Sequence, residues 1–276
     1  MISVINMHEL IEIIKYLVLG IVQGVTEIFP VSSSGHLTIF TNLFRMDPAL
    51  LTVFLMVTNT GSFLALLFFF RRDVGHLVSG SWRYLVKREE TSKEDFFYVL
   101  KLLIAVVPVG LAGLLLENHL PSDWLSVGFA LLITGSLLFF IYKMRDTQWK
   151  TDITWKNALV IGLFQTFAIF PGISRSGITI TGGLSEKIEL RKVLRFSFLS
   201  YILVSVPVSI LGFVRAFENS EEIHVLGYTL AFLLSFVFSL LSIRFLYRYV
   251  KVKNLVIFAV YCLFAGVFSI IMHFVF

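Results

Sequence analysis

The chain has 276 residues, 57% of them hydrophobic and 15% charged, and its 23 Lys and Arg against 18 Asp and Glu give a formal net charge of +5. A soluble domain averages roughly 45–50% apolar and about 25% charged residues, so no soluble fold hides this much apolar surface and lipid has to be the solvent for most of it. The positive charge does not point to nucleic acid, because the basic residues lie in loops between apolar stretches, where the positive-inside rule puts them.

In chain order, Met1–Leu10 lacks a basic n-region, and no small-residue cleavage site follows the first apolar stretch, so a cleavable signal is not expected. Residues 10–29 form a helix-length run that ends at Phe29-Pro30, and a short segment at about 33–46 follows. Spans are predicted at about 50–70, 97–117 and 124–143. Residues 156–170 then end at Phe170-Pro171, with another short segment at about 174–186, before spans at about 195–214, 226–247 and 254–275. Crossing a bilayer of about 30 Å takes roughly 20 residues, which the six spans have and the two short segments lack. A helix, a Pro/Gly break and a half-length helix read as a re-entrant hairpin, tolerated at membrane depth only where it lines a protein cavity. The single cysteine, Cys262, lies in the last span, so no intramolecular disulfide forms.

Charge sets the orientation. Eighteen of the 23 Lys and Arg fall in four loops, 71–95, 143–156, 187–195 and 244–253. The alternate connections carry Glu117 and Asp123, then Glu218, Glu221 and Glu222. Six spans with both termini outside place every basic loop in the cytoplasm.

The two halves repeat. A shift of 142 aligns Gly20 with Gly162, Gln23 with Gln165, Ser32 with Ser174, Ser34 with Ser176 and Gly35 with Gly177, while the Phe-Pro pairs match at a shift of 141. Each half reads as one hairpin plus three spans. Three is odd, so the second half starts on the opposite side and the repeats are inverted. The predicted fold is therefore all-α and integral to the membrane: six transmembrane helices plus two re-entrant helical hairpins arranged as inverted repeats. It is one domain, 1–276, with halves of about 1–145 and 146–276. Such an arrangement places a site near the bilayer midplane, where the hairpin tips meet.

The polar chemistry is concentrated at those tips. Gln23 and Glu27, four apart, share a helix face, and after Pro30 come Ser32, Ser33, Ser34, Gly35 and His36. Ser32 is an expected N-cap, which would aim backbone N–H groups at the helix break. The second tip offers Ser174, Arg175, Ser176, Gly177 and Thr179, with Arg175 in the position matching Ser33. Two helix N-termini, many hydroxyls and an arginine fork describe a phosphate-type anion site. Ser and Gly in membrane helices also serve close packing, and the Gly20/Gly24 spacing reads as helix contact. Asn59, Thr60 and Gly61 interrupt an apolar span, where cavity lining and packing are both open. Ionisable groups at membrane depth are costly, so Glu27 and Arg175 read as functional, with a plain buried ion pair as the bland alternative. His36, beside three serines and opposite an arginine, favours acid–base work or nucleophilic attack. The remaining histidines suggest nothing specific. No His/Cys cluster has zinc spacing, but Glu27 can share a divalent ion such as Mg or Ca with substrate phosphates.

EIFPVSSSGH and PGISRSG at this separation, with FLMVTNTGSFLALLFFFRRDV after the first hairpin, resemble the bacterial undecaprenyl-pyrophosphate phosphatase family of the bacitracin-resistance type. The resemblance covers nearly the whole chain. It implies removal of the terminal phosphate from a polyprenyl diphosphate, yielding the lipid monophosphate carrier for cell-wall synthesis. It also implies a divalent cation, a homodimer, and a bacterial cell-membrane location with the site open to the outer face. Family roles carry onto Glu27, Ser33, His36 and Arg175, with Ser32, Ser34, Ser174 and Ser176 lining the pocket; Gln23 and Thr179 are added as substrate contacts. The chain departs from the two-glutamate version of the first motif, having Gln23 where the first acid would be and Leu55 where many members have an acid. That weakens a two-carboxylate metal site. The lack of any Arg-Pro dipeptide, and of a histidine between Arg175 and His224, argues against the phosphatidate-phosphatase class. A flippase or other inverted-repeat transporter of an anionic substrate is the competing function, but a carrier has no use for Ser33 plus His36.

Overall fold

The computed structural model describes residues 7–46, 48–116, 120–145, 148–218 and 224–275. Glu117, His119, Glu221 and Glu222 lie outside the described residues, as do the side chains of His8 and Glu218. The described chain is helical, with short 3-10 turns and one isolated bridge between Lys150 and Ile188. Its α-helices are α1 (Met7–Ile28), α2 (Ser33–Leu43), α3 (Pro48–Phe69), α4 (Arg71–Lys87), α5 (Lys93–Leu116), α6 (Trp124–Lys143), α7 (Trp155–Thr166), α8 (Arg175–Ser185), α9 (Leu190–Glu218), α10 (Val225–Tyr249) and α11 (Leu255–Val275).

Among the described residues, α5, α6, α9, α10 and α11 are long and apolar enough to cross a membrane, and α3 makes a sixth when it is taken with α4. The protein is thus a multi-pass membrane protein, and the six expected spans fall on these helices. Large apolar side chains such as Phe129, Phe140, Phe245 and Phe264 are exposed on their outer faces, as lipid requires. The basic stretch read as a loop at 71–95 is mostly helix α4, which turns 71° from α3. Its buried Leu77 and Gly80, three apart, give it a packing face on α5, which charge alone did not reveal.

The pairs that pack are α1 with α10, α3 with α9 and α10, α5 with α7 and α9, and α6 with α11. The short helices α2 and α8 pack on α1 and α7, respectively, and both reach α6. Small residues allow these approaches. A Cβ on Gly20 would come within 2.6 Å of the Ala231 carbonyl oxygen on α10, and one on Gly162 within 2.7 Å of Ala105 on α5. Gly24 likewise meets Ser235 on α10, so the GxxxG spacing is a helix contact.

Local hydrogen bonds hold the helix ends. Asp123 caps α6, accepting from the amides of Leu125 (2.9 Å) and Ser126 (3.1 Å). The Ser126 hydroxyl, donating to it, holds its carboxyl below the usual range. Thr154 and Asn157 form a capping box at the start of α7, and Asn157 Nδ2 donates to Glu186 Oε2 at the end of α8 (2.9 Å). Beside it the Lys150 amide donates to the Lys187 carbonyl (2.6 Å) and the Glu189 amide to the Lys150 carbonyl (2.8 Å). The α7–α8 pair therefore begins and ends at one place.

Candidate active site

The two Phe-Pro breaks turn the chain differently. After Pro171, Gly172 takes φ +96° and the Ile173 amide donates to the Phe170 carbonyl (3.0 Å), a Pro-Gly turn that glycine makes cheaply. Ser174 then caps α8 with an ordinary φ of −72°, its hydroxyl accepting from the Gly177 amide (3.1 Å). The first break is one residue shorter, with Val31 alone between Pro30 and the cap. There Ser32 itself takes φ +70° while its hydroxyl accepts from the Gly35 amide (3.2 Å). The missing residue explains why the alignment steps from 141 at the Phe-Pro pairs to 142 at the serines, and it offsets the one residue fewer between Gln165 and Phe170 than between Gln23 and Phe29. It also places backbone strain on a non-glycine residue inside the site.

The tips interlock. The Gly172 amide donates to Ser34 Oγ (3.2 Å), and Ser176 Oγ donates to the Phe29 carbonyl (3.2 Å). Ser32 and Ser34 hydroxyls lie 3.4 Å apart, and those of Ser174 and Ser176 lie 3.3 Å apart. Thr134 on α6 receives the Ser174 amide (3.1 Å), and Thr179 shares a 2.6 Å hydrogen bond with Ser197 on α9.

Glu27 is the meeting point. Its Oε2 accepts from Ser33 Oγ at 2.5 Å and from Gln23 Nε2 at 3.1 Å, and its Oε1 accepts from an Arg175 guanidinium nitrogen. Glu27 is buried while Ser33, Ser34 and Arg175 stay partly exposed. His36 faces another way. Its Nδ1–H donates to the Ser32 carbonyl (2.7 Å), which leaves Nε2 to accept from the Tyr261 hydroxyl (2.6 Å). Spacing puts Ser33 and His36 on one helix face, but the hydrogen-bond partner of Ser33 is Glu27 and neither ring nitrogen of His36 is bonded to it. Gln23, Glu27, Ser33 and Arg175 are thus directly joined, and Ser32, Ser34, Ser174 and Ser176 frame them. Thr179 turns away toward α9.

Sequence reading left out Tyr201 and Tyr261. The Arg175 guanidinium lies 3.3 Å over the Tyr201 ring, and the Tyr201 hydroxyl donates to Asn59 Oδ1 (2.5 Å). Asn59 and Tyr201 are themselves 142 apart, so carrying the repeat into the following span would have paired them. Tyr261 stacks on His36, rings 5.4 Å apart and within 8° of parallel, and no sequence signal marks it. Of the other polar interruptions in α3, Thr60 bonds Ser209 (3.0 Å) and Gly61 packs on α10, so both are packing.

No group of three or more His, Cys, Asp or Glu suited to a metal exists among the described residues. Glu27 is the one carboxylate at the tips, and both its oxygens already have donors. The side chains present therefore fit a divalent ion only in the manner of magnesium, held by one carboxylate and the oxygens of a phosphorylated substrate.

The chain is similar over nearly its whole length to proteins of known name. A protein from Acholeplasma laidlawii named undecaprenyl-diphosphatase is 52% identical, over 97% of this chain and 99% of its own. One of the same name from Oceanobacillus iheyensis is 37% identical over 94% of this chain and 96% of its own. Undecaprenyl-diphosphatase 1 of Halalkalibacterium halodurans is 38% identical over the same shares. The model of the bacitracin resistance protein BacA matches residues 16–268, so the chain belongs to the BacA family.

Proposed function

We propose that this protein is an integral membrane undecaprenyl-diphosphatase, releasing phosphate from the lipid diphosphate and returning the monophosphate carrier to cell-wall synthesis, which underlies bacitracin resistance. The observation that carries the reading is the junction of Ser33, Glu27 and Arg175 between two capped helix N-termini. Arg175 and the N-termini bind the terminal phosphate, and a diphosphate competes with Glu27 for the guanidinium. Releasing Glu27 frees it to take the Ser33 proton. Ser33 Oγ then bonds the terminal phosphorus as the bond to the bridging oxygen breaks, and the lipid monophosphate leaves. Water next attacks the phosphoserine, the proton held by Glu27 returns to Ser33 Oγ, and phosphate departs. Glu27 would also hold a divalent cation arriving with the diphosphate, whose charge it would help neutralise.

The same reading makes α1–α2 and α7–α8 re-entrant hairpins of two inverted repeats. Exchanging α1 with α7, α2 with α8, α3 with α9, α5 with α10 and α6 with α11 turns α1·α10 into α7·α5 and α3·α10 into α9·α5, all of which pack. The closure of α7–α8 at Asn157 and Glu186 further supports a return to one side. The site then opens to the outer face of the bacterial cell membrane, in a homodimer. This symmetry also favours a second reading, transport of an anionic lipid. Purified protein given a polyprenyl diphosphate decides between them: phosphate release lost in Ser33→Ala supports the enzyme, and transport without release supports the carrier.

A further inference from the structure

We propose that α4 is an in-plane anchor that selects anionic phospholipids. The helix has three faces at 100° per residue. Leu77, Gly80 and the partly buried Tyr84 pack inward. Val78, Trp82, Leu85 and Val86 form a second stripe, each 58–64% exposed, with no protein covering it. Arg72, His76, Arg83 and Lys87 form a third, adjoining row. His76 and Arg83 have acidic neighbours, Asp95 at 3.3 Å and Glu89 at 3.8 Å. Arg72, Lys87 and Arg88 are exposed and have no acidic partner among the described residues.

The placement agrees with the composition. Five charged residues and a histidine make α4 too polar to cross a bilayer, and its 71° turn from the membrane-spanning α3 lays it near the membrane plane. A helix lying there buries an apolar stripe about 5–10 Å deep and keeps a basic row among the headgroups, with a tryptophan at the boundary. Each basic residue near an anionic surface adds attraction, so phospholipids of negative headgroup collect along Arg72, Lys87 and Arg88. The occupant is thus the anionic lipid leaflet and not a second copy of the chain, whose face would have to offer acids opposite that row.

The test uses the full protein in nanodiscs and the part of the tryptophan emission that is lost in Trp82→Phe. Bromine-labelled phosphatidylglycerol should quench that emission roughly twofold more than bromine-labelled phosphatidylcholine at equal mole fraction. In Arg72→Gln/Lys87→Gln/Arg88→Gln the two lipids should quench alike, while quenching itself persists. Emission unaffected by either lipid overturns the proposal, since Trp82 then faces water or another protein. Equal quenching by the two lipids in the unsubstituted protein overturns it as well.

Discussion

Ser33 and Arg175 stand 142 residues apart at matching positions of the two tips, and both side chains end on the carboxylate of Glu27. One repeat supplies a hydroxyl, the other a guanidinium, and a single acid outside the repeat pattern joins them. The residue that would match Glu27 is Ile169, so the duplicated scaffold carries an unduplicated site.

That junction can be separated into charge balance and chemistry. Glu27→Gln leaves Arg175 as a largely buried cation without its partner, and breaking such a pair from one side costs about 3–5 kcal/mol. The thermal midpoint of the detergent-solubilised protein should fall. Adding Arg175→Gln should restore most of that stability but none of the activity, which should stay down by at least ~10²-fold. A double variant no more stable than the single one would show that the pair does not bear on folding.

The strained cap makes a narrower prediction. Ser32 at φ +70° holds a conformation that suits glycine, while its hydroxyl caps α2. Ser32→Gly relieves strain and loses the cap; Ser32→Ala loses the cap and keeps the strain. Glycine should therefore be the more stable of the two by roughly 1 kcal/mol in thermal or denaturant unfolding. The reverse order would mean that the positive φ carries no cost here.

The short helices α2 and α8 and the breaks before them were legible in the chain because a proline followed by serine and glycine breaks an apolar run in a recognisable way, and because both breaks share that chemistry. The 141/142 mismatch was legible as well, and its cause, one residue fewer before Ser32, is a matter of backbone closure. What did not show was lateral contact. Tyr261 reaches His36 from 225 residues away, and Arg175 lies on Tyr201, through helix packing that no local pattern encodes. Helix α4 was hidden for another reason: its charges read as a loop, while its apolar residues are divided between two faces.

The proposed inverted arrangement predicts sidedness. With Cys262→Ser as background, cysteines at Met7 and Asn42 should react with an impermeant reagent in intact cells. Cysteines at Lys156 and Arg191 should react only after permeabilisation. A cysteine at Ser34 separates a hairpin from a spanning pair, since a tip at membrane depth should react slowly from either surface. Rapid full labelling of Ser34→Cys would sink the midplane site.

The last prediction concerns the attacking group. Ser33 is an alcohol and needs a base, and the structure supplies Glu27 at 2.5 Å. His36 is the rival nucleophile, but its Nδ1 holds a proton shared with the Ser32 carbonyl and its Nε2 is covered by Tyr261. Water activated by Glu27 is the third route, and it leaves no label on the protein. Rapid quenching with diphosphate labelled at the terminal phosphate separates them, because phosphoserine survives acid and phosphohistidine survives base only. The expected result is an acid-stable label absent from Ser33→Ala. Tyr261→Phe frees Nε2 without touching Ser33, so a serine route should retain activity within roughly tenfold, and a histidine route should change its pH profile. Acid-labile label that persists in Ser33→Ala and disappears in His36→Ala would transfer the attack to His36. Label absent from the native protein but trapped in His36→Ala would still favour Ser33, with His36 serving the second, hydrolytic step.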